Sequence, residues 1–211
     1  MKHALAALVS LLSAAFLFAL PASAQNDPAK DYVIACSGPF GKNATHADIE
    51  NAFGKTNVTY GDVPGPEGST EKATIVFAEE AERRIEIQWQ DEEKRARPLA
   101  ITVGNENAKS RWSAPLGIKL GTRVEEIQKI TGKPFPITGF EWDLGGYAHL
   151  QKTKLEKLPG GCTLSLRFTL DNIPEGKKYK KLVGDVKVRS DDKVLLELKP
   201  RVQFFTIGYA D

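Results

Sequence analysis

Apolar side chains at every second position predict three β-strands in the first half of the chain. They are carried by Ile75 and Phe77, by Ile85, Ile87 and Trp89, and by Leu99, Ile101 and Val103. Polar or charged stretches at 79–82 and 91–97 separate these segments, as turns do between hairpin strands. The pattern is typical of an antiparallel meander with one buried face.

The second half contains the most regular alternation, in which every second residue is apolar. Its apolar positions are Cys162, Leu164, Leu166, Phe168 and Leu170. Upstream, Gly145-Gly146 lies between the strand-like segments Thr138–Leu144 and Tyr147–Gln151, which predicts a hairpin with a two-residue turn. Downstream, the pattern predicts a strand at Val186 and Val188, a helix carrying Val194, Leu195 and Leu198 capped by Ser190-Asp191, and a last strand over Val202–Ile207.

A short helix is predicted before the strands of each half. Thr45 with Asp48 and Thr122 with Glu125 have the spacing of helix-capping pairs. The apolar stripes that follow are Ile49, Ala52 and Phe53 in the first helix and Val124, Ile127 and Ile130 in the second. Gly54 and Gly132 then supply the left-handed residue at which helices commonly end.

A set of residues recurs along the chain at offsets of 76 to 78 positions. Ser37, Pro39, Gly41, Thr45, Ile49, Gly54 and Lys55 recur as Ser113, Pro115, Gly117, Thr122, Ile127, Gly132 and Lys133. A recurrence of this length indicates an internal duplication. The sequence therefore predicts an α+β fold of two tandem repeats, 25–106 and 107–211, each a short helix packed on an antiparallel β-meander.

The first 24 residues have the organisation of a secretory signal peptide. Lys2 and His3 precede the apolar run Ala4–Leu20, and Ala22-Ser23-Ala24 supplies a small-x-small cleavage site. No later stretch is long and apolar enough to span a bilayer. We therefore expect cleavage after Ala24 and a periplasmic or secreted product.

Composition narrows the class further. The 211 residues carry 29 Lys and Arg against 27 Asp and Glu, and 41% are apolar, which disfavours both disorder and nucleic-acid binding. Two cysteines in an exported chain predict one disulfide, Cys36–Cys162. A reactive thiol is the alternative, but neither cysteine belongs to a C-x-x-C motif.

The second helix segment resembles a known family. Gly121-Thr122, Glu125, Ile127 and Gly132-Lys133-Pro134 resemble the "G-T-x-x-E-v…l-G-x-P" segment of the BamE/SmpA-OmlA group of bacterial envelope proteins. The tandem arrangement is similar to the β-lactamase-inhibitor-protein fold. The resemblance implies a small α+β scaffold used in envelope assembly or protein–protein inhibition. The chain departs from these families in two respects: it lacks a credible lipidated cysteine, and it has a single cysteine in each repeat.

Motifs for catalysis, metals and cofactors are absent from the sequence. His46 and His149, the histidines left after processing, have no second histidine at metal-ligand spacing, and His46 is expected to be exposed in the first turn of its helix. Hydrolase, phosphate-loop and dinucleotide motifs are missing as well. We therefore expect a non-enzymatic protein without metal or cofactor.

Residues 140–149 form the most suggestive candidate site. A hairpin there brings Trp142, Asp143, Tyr147 and His149 to one end of the sheet, where an aromatic platform and a carboxylate can bind a protein loop, peptide or sugar. Two alternatives stay open: Trp142 belongs to the core, or Asp143 and His149 form an acid–base pair.

One dense basic run completes the candidate surfaces. Its charges are Lys177, Lys178, Lys180 and Lys181, a candidate for weak contact with anionic polymers or simply a solvated loop. Together these features favour an exported binding protein that acts on another envelope or secreted protein as an adapter or inhibitor. A small-ligand or glycan binder that uses the Trp142–His149 hairpin is the alternative, and a hydrolase is less favoured.

Overall fold

A computed structural model describes residues 32–65, 68–104 and 109–209 of the chain. Within these ranges no helix combines the length and the apolar character needed to cross a membrane. The predicted signal peptide and its cleavage site lie outside the described residues, as does the predicted boundary between the repeats at 106/107.

The described residues contain three α-helices and eight β-strands. The helices are α1 (His46–Phe53), α2 (Val124–Thr131) and α3 (Lys193–Glu197). The strands are β1 (Val58–Pro64), β2 (Thr70–Val76), β3 (Ile85–Asp91), β4 (Ala96–Val103), β5 (Pro136–Thr138), β6 (Thr163–Thr169), β7 (Lys187–Arg189) and β8 (Arg201–Gly208). The last predicted helix is present, but Asp192 caps it rather than Ser190-Asp191.

Six strands form one antiparallel sheet in the order β1-β2-β3-β4-β8-β6, and β5 pairs with β7. Two single bridges link the small sheet to the large one, because Ala148 pairs with Ile137 of β5 and Tyr147 pairs with Arg167 of β6. This confirms the α+β class with an antiparallel sheet. The division into two tandem repeats stays a prediction.

One face of the large sheet carries the main hydrophobic core. Alternate residues of β3, β4, β6 and β8 point into it, among them Ile87, Ile101 and Phe205, all fully buried. Helix α1 adds Ile49 and Phe53, while α2 adds Val124 and Ile127 and α3 adds Leu195. Helices of five to eight residues are unstable alone, so this shared burial holds them in place.

Helices α1 and α2 begin differently, although the sequence predicts a similar cap for both. Thr45 caps α1 as predicted: its hydroxyl accepts the Asp48 N–H at 3.3 Å and the Asp48 carboxylate accepts the Thr45 N–H at 2.9 Å. The predicted Thr122–Glu125 pair is wrong by one position. Glu126 accepts the Arg123 N–H at 3.2 Å, because the Thr122 hydroxyl is already bonded to the Lys119 N–H at 3.0 Å.

Three strand positions differ from the simple alternation. Ile75 faces away from the main core and packs with Val63 and Ala73 on the other face of the sheet. Phe77 lies just beyond β2, where a positive φ of 53° turns it into the main core. Leu99 is 47% exposed because a bulge opposite Gln88 and Trp89 makes it the extra residue of β4.

The predicted disulfide is present. Cys36 and Cys162 are both buried, with their Cα atoms 5.8 Å apart. The bond joins the segment that precedes α1 to the residue immediately before β6. It therefore covalently connects the two halves of the chain.

Candidate functional site

A loop over residues 139–146 stands where the sequence predicts a two-residue turn. Its flanks pair as a short hairpin: the Thr138 N–H donates to the Tyr147 carbonyl at 2.9 Å and the His149 N–H to the Pro136 carbonyl at 2.8 Å. The predicted strand Thr138–Leu144 is wrong, because β5 ends at Thr138 and eight residues follow before the pairing resumes.

Close packing and hydrogen bonds fix this loop against its neighbours. A Cβ atom on Gly139 would lie 2.5 Å from the Gly184 carbonyl oxygen, and one on Gly146 would overlap the Phe168 carbonyl oxygen. Glycine at these positions thus lets two other backbones approach the loop directly. The loop is held from two sides, by β6 and by the chain that precedes β7.

Arg167 of β6 provides a second constraint. Its guanidinium donates to the Gly145 carbonyl at 2.8 Å and to the Asp143 carbonyl at 3.1 Å. Within the loop, the Trp142 indole N–H donates to the Gly139 carbonyl at 2.9 Å. These bonds satisfy inward-facing carbonyls and leave the side chains of Asp143 and Leu144 exposed, Leu144 to 60%.

The four predicted site residues have different surroundings. Trp142 is half-buried and lines a groove. Asp143 is exposed on the loop, and Tyr147 is 38% exposed with the Arg167 guanidinium carbon 5.3 Å from its ring centre. His149 is half-buried and bonds with the Thr138 hydroxyl at 3.0 Å. The ion pairs among the described residues do not include one between Asp143 and His149.

The groove beside Trp142 has a polar compartment of about 340 Å³. Loop 139–146 forms one wall, and the end of β6 with the chain that follows it forms the other. The polar side chains on its lining are Glu141, Arg167, Thr169, Asp171, Asn172 and Gln203. Hydrogen-bond donors and acceptors therefore converge next to an aromatic ring.

A second compartment of about 570 Å³ adjoins the first, because Glu141 and Ile173 line both. Its other lining residues are more apolar and include Pro174, Tyr179 and Val183. Glu141 has a φ of 60°, a left-handed conformation that is uncommon outside glycine. This conformation places Glu141 where the two compartments meet.

Charges in the groove are balanced. The carboxylates of Glu141, Asp171 and Glu175 are matched by the cations of Arg167 and Lys180 and by Arg201, which bonds with Asp171. The Arg201 hydrogen bond holds the pKa of Asp171 below its usual value. The groove is therefore not a strongly anionic or cationic site.

The basic run next to the groove is partly neutralised. Lys178 pairs with Glu197 at 2.8 Å, and this hydrogen bond raises the pKa of Lys178. Lys181 pairs with Asp192 at 2.5 Å. Because Lys178 and Lys181 are paired with Glu197 of α3 and with its cap Asp192, Lys177 and Lys180 carry most of the positive charge that the run presents to a partner.

The outer face of the large sheet is the second candidate surface. The buried apolar side chains of all three described helices belong to the core on the opposite face. Small polar residues occupy the middle of the outer face, with Ser165 exposed and the hydroxyls of Thr102 and Thr206 3.3 Å apart on neighbouring strands. Tyr147 and Arg167 border this face on the side of loop 139–146.

His46 is in a different environment from the one expected. Its side chain is 15% exposed, and its Nδ1 lies 2.7 Å from the Thr74 hydroxyl, which also accepts the Trp89 indole N–H at 2.8 Å. Burial lowers the pKa of His46; Glu50, 3.5 Å away, opposes this and Arg95 adds to it. The periodicity of α1 does not predict the contact between His46 and Thr74, because Thr74 belongs to β2, which lies far away in the sequence.

Comparison with family models, curated proteins and solved structures finds no match to this chain.

Proposed function

We propose that this chain is an exported, non-enzymatic binding protein of the bacterial envelope that acts on another protein as an adapter or inhibitor. Loop 139–146 and the adjoining outer face of the sheet form the proposed contact surface. The observation that carries the proposal is a loop held by Gly139, Gly146 and Arg167 that nevertheless exposes 60% of Leu144.

Such a loop loses little conformational entropy when it binds, which improves affinity. The proposed surface also combines exposed Leu144 with a partly exposed tyrosine and an arginine, and aromatic residues and arginine are enriched at interfaces. The small side chains of the outer face leave room for a partner to approach the strands closely. These features favour a protein partner over a polymer bound by charge alone.

The strand order supports the proposed tandem duplication. The first half supplies β1, β2, β3 and β4. Apart from β7, which pairs with β5 and has no counterpart in the first half, the second supplies β5, the Tyr147–Ala148 pairing, β6 and β8. In space these run outward from a central β4–β8 pair in mirrored order. Two four-stranded repeats joined at their last strands produce this order. The candidate signal peptide and the disulfide support export.

The test starts with capture of partners by the disulfide-intact mature chain from the periplasmic and secreted fractions of its source. The affinity of each purified partner is then measured by calorimetry. We expect Leu144→Asp to weaken binding at least tenfold, since it places a charge at the centre of the contact.

Leu116→Asp is the matched control, because Leu116 is equally exposed, at 61%, but lies in the segment before α2. It should leave the affinity unchanged. Equal effects of the two substitutions would exclude loop 139–146 as the contact surface. A chain that retains no protein at either low or physiological salt would exclude the interaction function itself.

A further inference from the structure

We propose that the groove between loop 139–146 and the chain after β6 binds a neutral saccharide of at least two rings. This site adjoins the protein contact proposed above and shares Arg167 with it, but Trp142 and Tyr179 line the groove, whereas Leu144 is not part of its lining. Loop 139–146 thus contributes to both sites through different residues.

Trp142 supplies the first ring-binding surface. Two of the three tryptophans, Trp89 and Trp112, are at most 3% exposed, whereas Trp142 is half-buried and lines the groove. Its indole N–H is already bonded to the Gly139 carbonyl, so the ring offers the groove apolar surface rather than a donor. The C–H face of a sugar ring packs on such a surface, while its hydroxyls point outward.

The polar residues around Trp142 fit those hydroxyls. Each hydroxyl both donates and accepts a hydrogen bond, and amide and carboxylate side chains complement both roles. Asn172 and Gln203 supply amides, and Glu141 supplies an exposed carboxylate. A few fixed polar groups around an apolar platform are the usual composition of a small-ligand site.

The balance of charge favours a neutral ligand. The carboxylates in and around the groove are matched by cations, and the one on Asp171 is already bonded to Arg201. An anionic sugar would meet the carboxylates of Glu141 and Glu175 in the same groove, so their repulsion would compete with its attraction to Arg167 and Lys180. A neutral sugar forms its hydrogen bonds without that competition.

The two compartments set the length of the ligand. About 340 and 570 Å³ each fall in the range of roughly 300–1,000 Å³ that is typical of small-ligand sites. Tyr179 provides an aromatic ring in the second compartment, with Ile173 and Pro174 beside it. One sugar ring beside Trp142 and the next beside Tyr179 would pass Glu141, where the compartments meet.

Tryptophan emission provides a direct test, because Trp142 is the accessible one of the three. The mature, disulfide-intact chain is titrated with cellotetraose, chitotetraose and maltotetraose, and with trigalacturonate as the acidic comparison. We expect at least one neutral oligosaccharide to change the emission and protect it from acrylamide quenching. Calorimetry then gives the affinity of that oligosaccharide for each variant.

Trp142→Ala should weaken this binding about tenfold, while Trp142→Phe retains a ring and loses about threefold or less. Leu144→Asp, outside the groove, should bind the sugar normally while binding the protein partner at least tenfold more weakly. Loss of protein binding without loss of sugar binding, or the reverse, therefore tests the two proposals separately.

Three results would overturn the inference: no change in Trp142 emission with any neutral oligosaccharide, a response to trigalacturonate alone, or equal affinity of Trp142→Ala and the native chain. If a peptide of the protein partner protects Trp142 from acrylamide quenching and no sugar does, the groove belongs to the protein interface instead.

Discussion

The two halves of the molecule begin alike and then diverge. In each, a short helix ended by a glycine precedes the strands. In the first half at most eight residues separate consecutive strands, whereas longer, largely irregular segments separate the strands of the second. Those segments form loop 139–146 and both walls of the groove. The strands of both halves thus carry the core, whereas the irregular segments of the second half form the surface that carries the candidate binding residues.

Tryptophan substitutions provide the largest contrast between the halves. Trp89→Ala should lower the free energy of unfolding by about 3–5 kcal/mol, because Trp89 is 3% exposed and its N–H bonds with Thr74. Trp142→Ala should cost clearly less, since half-buried Trp142 borders the groove. Urea unfolding followed by circular dichroism measures both. Equal losses would make Trp142 a core residue.

The disulfide tests how far the two halves depend on each other. Replacing Cys36 and Cys162 together by serine should cost about 2–4 kcal/mol, because the bond closes a loop with a sequence separation of 126. Unfolding of the double variant and of the reduced native chain should give the same midpoint. A native midpoint that is insensitive to reductant would show that the cross-link adds no stability.

Alanine substitutions at two glycines of the second half distinguish the cost of backbone strain from the cost of steric overlap. Gly146 and Gly161 have nearly the same φ, 81° and 83°, but a Cβ on Gly146 would overlap the Phe168 carbonyl, whereas one on Gly161 has no heavy atom within 4 Å. Both alanine variants should lose about 1–2 kcal/mol from φ alone, and Gly146→Ala should lose about 1–3 kcal/mol more. Thermal or urea unfolding measures the difference, and equal losses would mean that loop 139–146 moves freely.

Sequence patterns predict the parts of this fold that depend on neighbouring residues. The alternation in β6, the Thr45 cap of α1 and the single cysteine pairing are local or combinatorial features, and all three are confirmed. Leu99 and Ile75 deviate because a bulge and a second buried face depend on the partner strand, which the chain does not specify locally.

The sequence also predicts only part of the candidate site. Gly145-Gly146 indicates a reversal of the chain, which is correct, but not a two-residue turn: Gly146 is required by the approach of Phe168, and Gly145 by the carbonyl oxygens of Gly139 and Trp142. Trp142 is recognisable as a candidate from sequence. The residues opposite it, such as Asn172 and Gln203, are not, because they come from distant segments without a motif.

His46 gives the smallest effect and an independent test of the first half. Its pKa is lowered in the folded chain from an ordinary value of 6.5, so well above pH 6.5 the ring is neutral in both states and contributes nothing to the pH dependence. Below that pH the unfolded chain binds a proton more readily, and stability should fall between pH 7 and 5. Among the groups around His46, Glu50 opposes this loss and Arg95 adds to it, while Thr74 and Tyr60 face the ring from the sheet.

The measurement is urea unfolding at several pH values for the native chain, His46→Asn and His149→Asn. Asparagine at position 46 keeps an acceptor near the Thr74 hydroxyl but does not titrate, so its slope between pH 7 and 5 should be smaller than that of the native chain. His149→Asn should keep the native slope, because it leaves the His46–Thr74 contact intact and removes a ring that bonds with Thr138 in the other half. If His149→Asn reduces the slope and His46→Asn does not, the pH-sensitive contact belongs to the half that carries the groove, and the Thr74 network is only a packing feature of the meander.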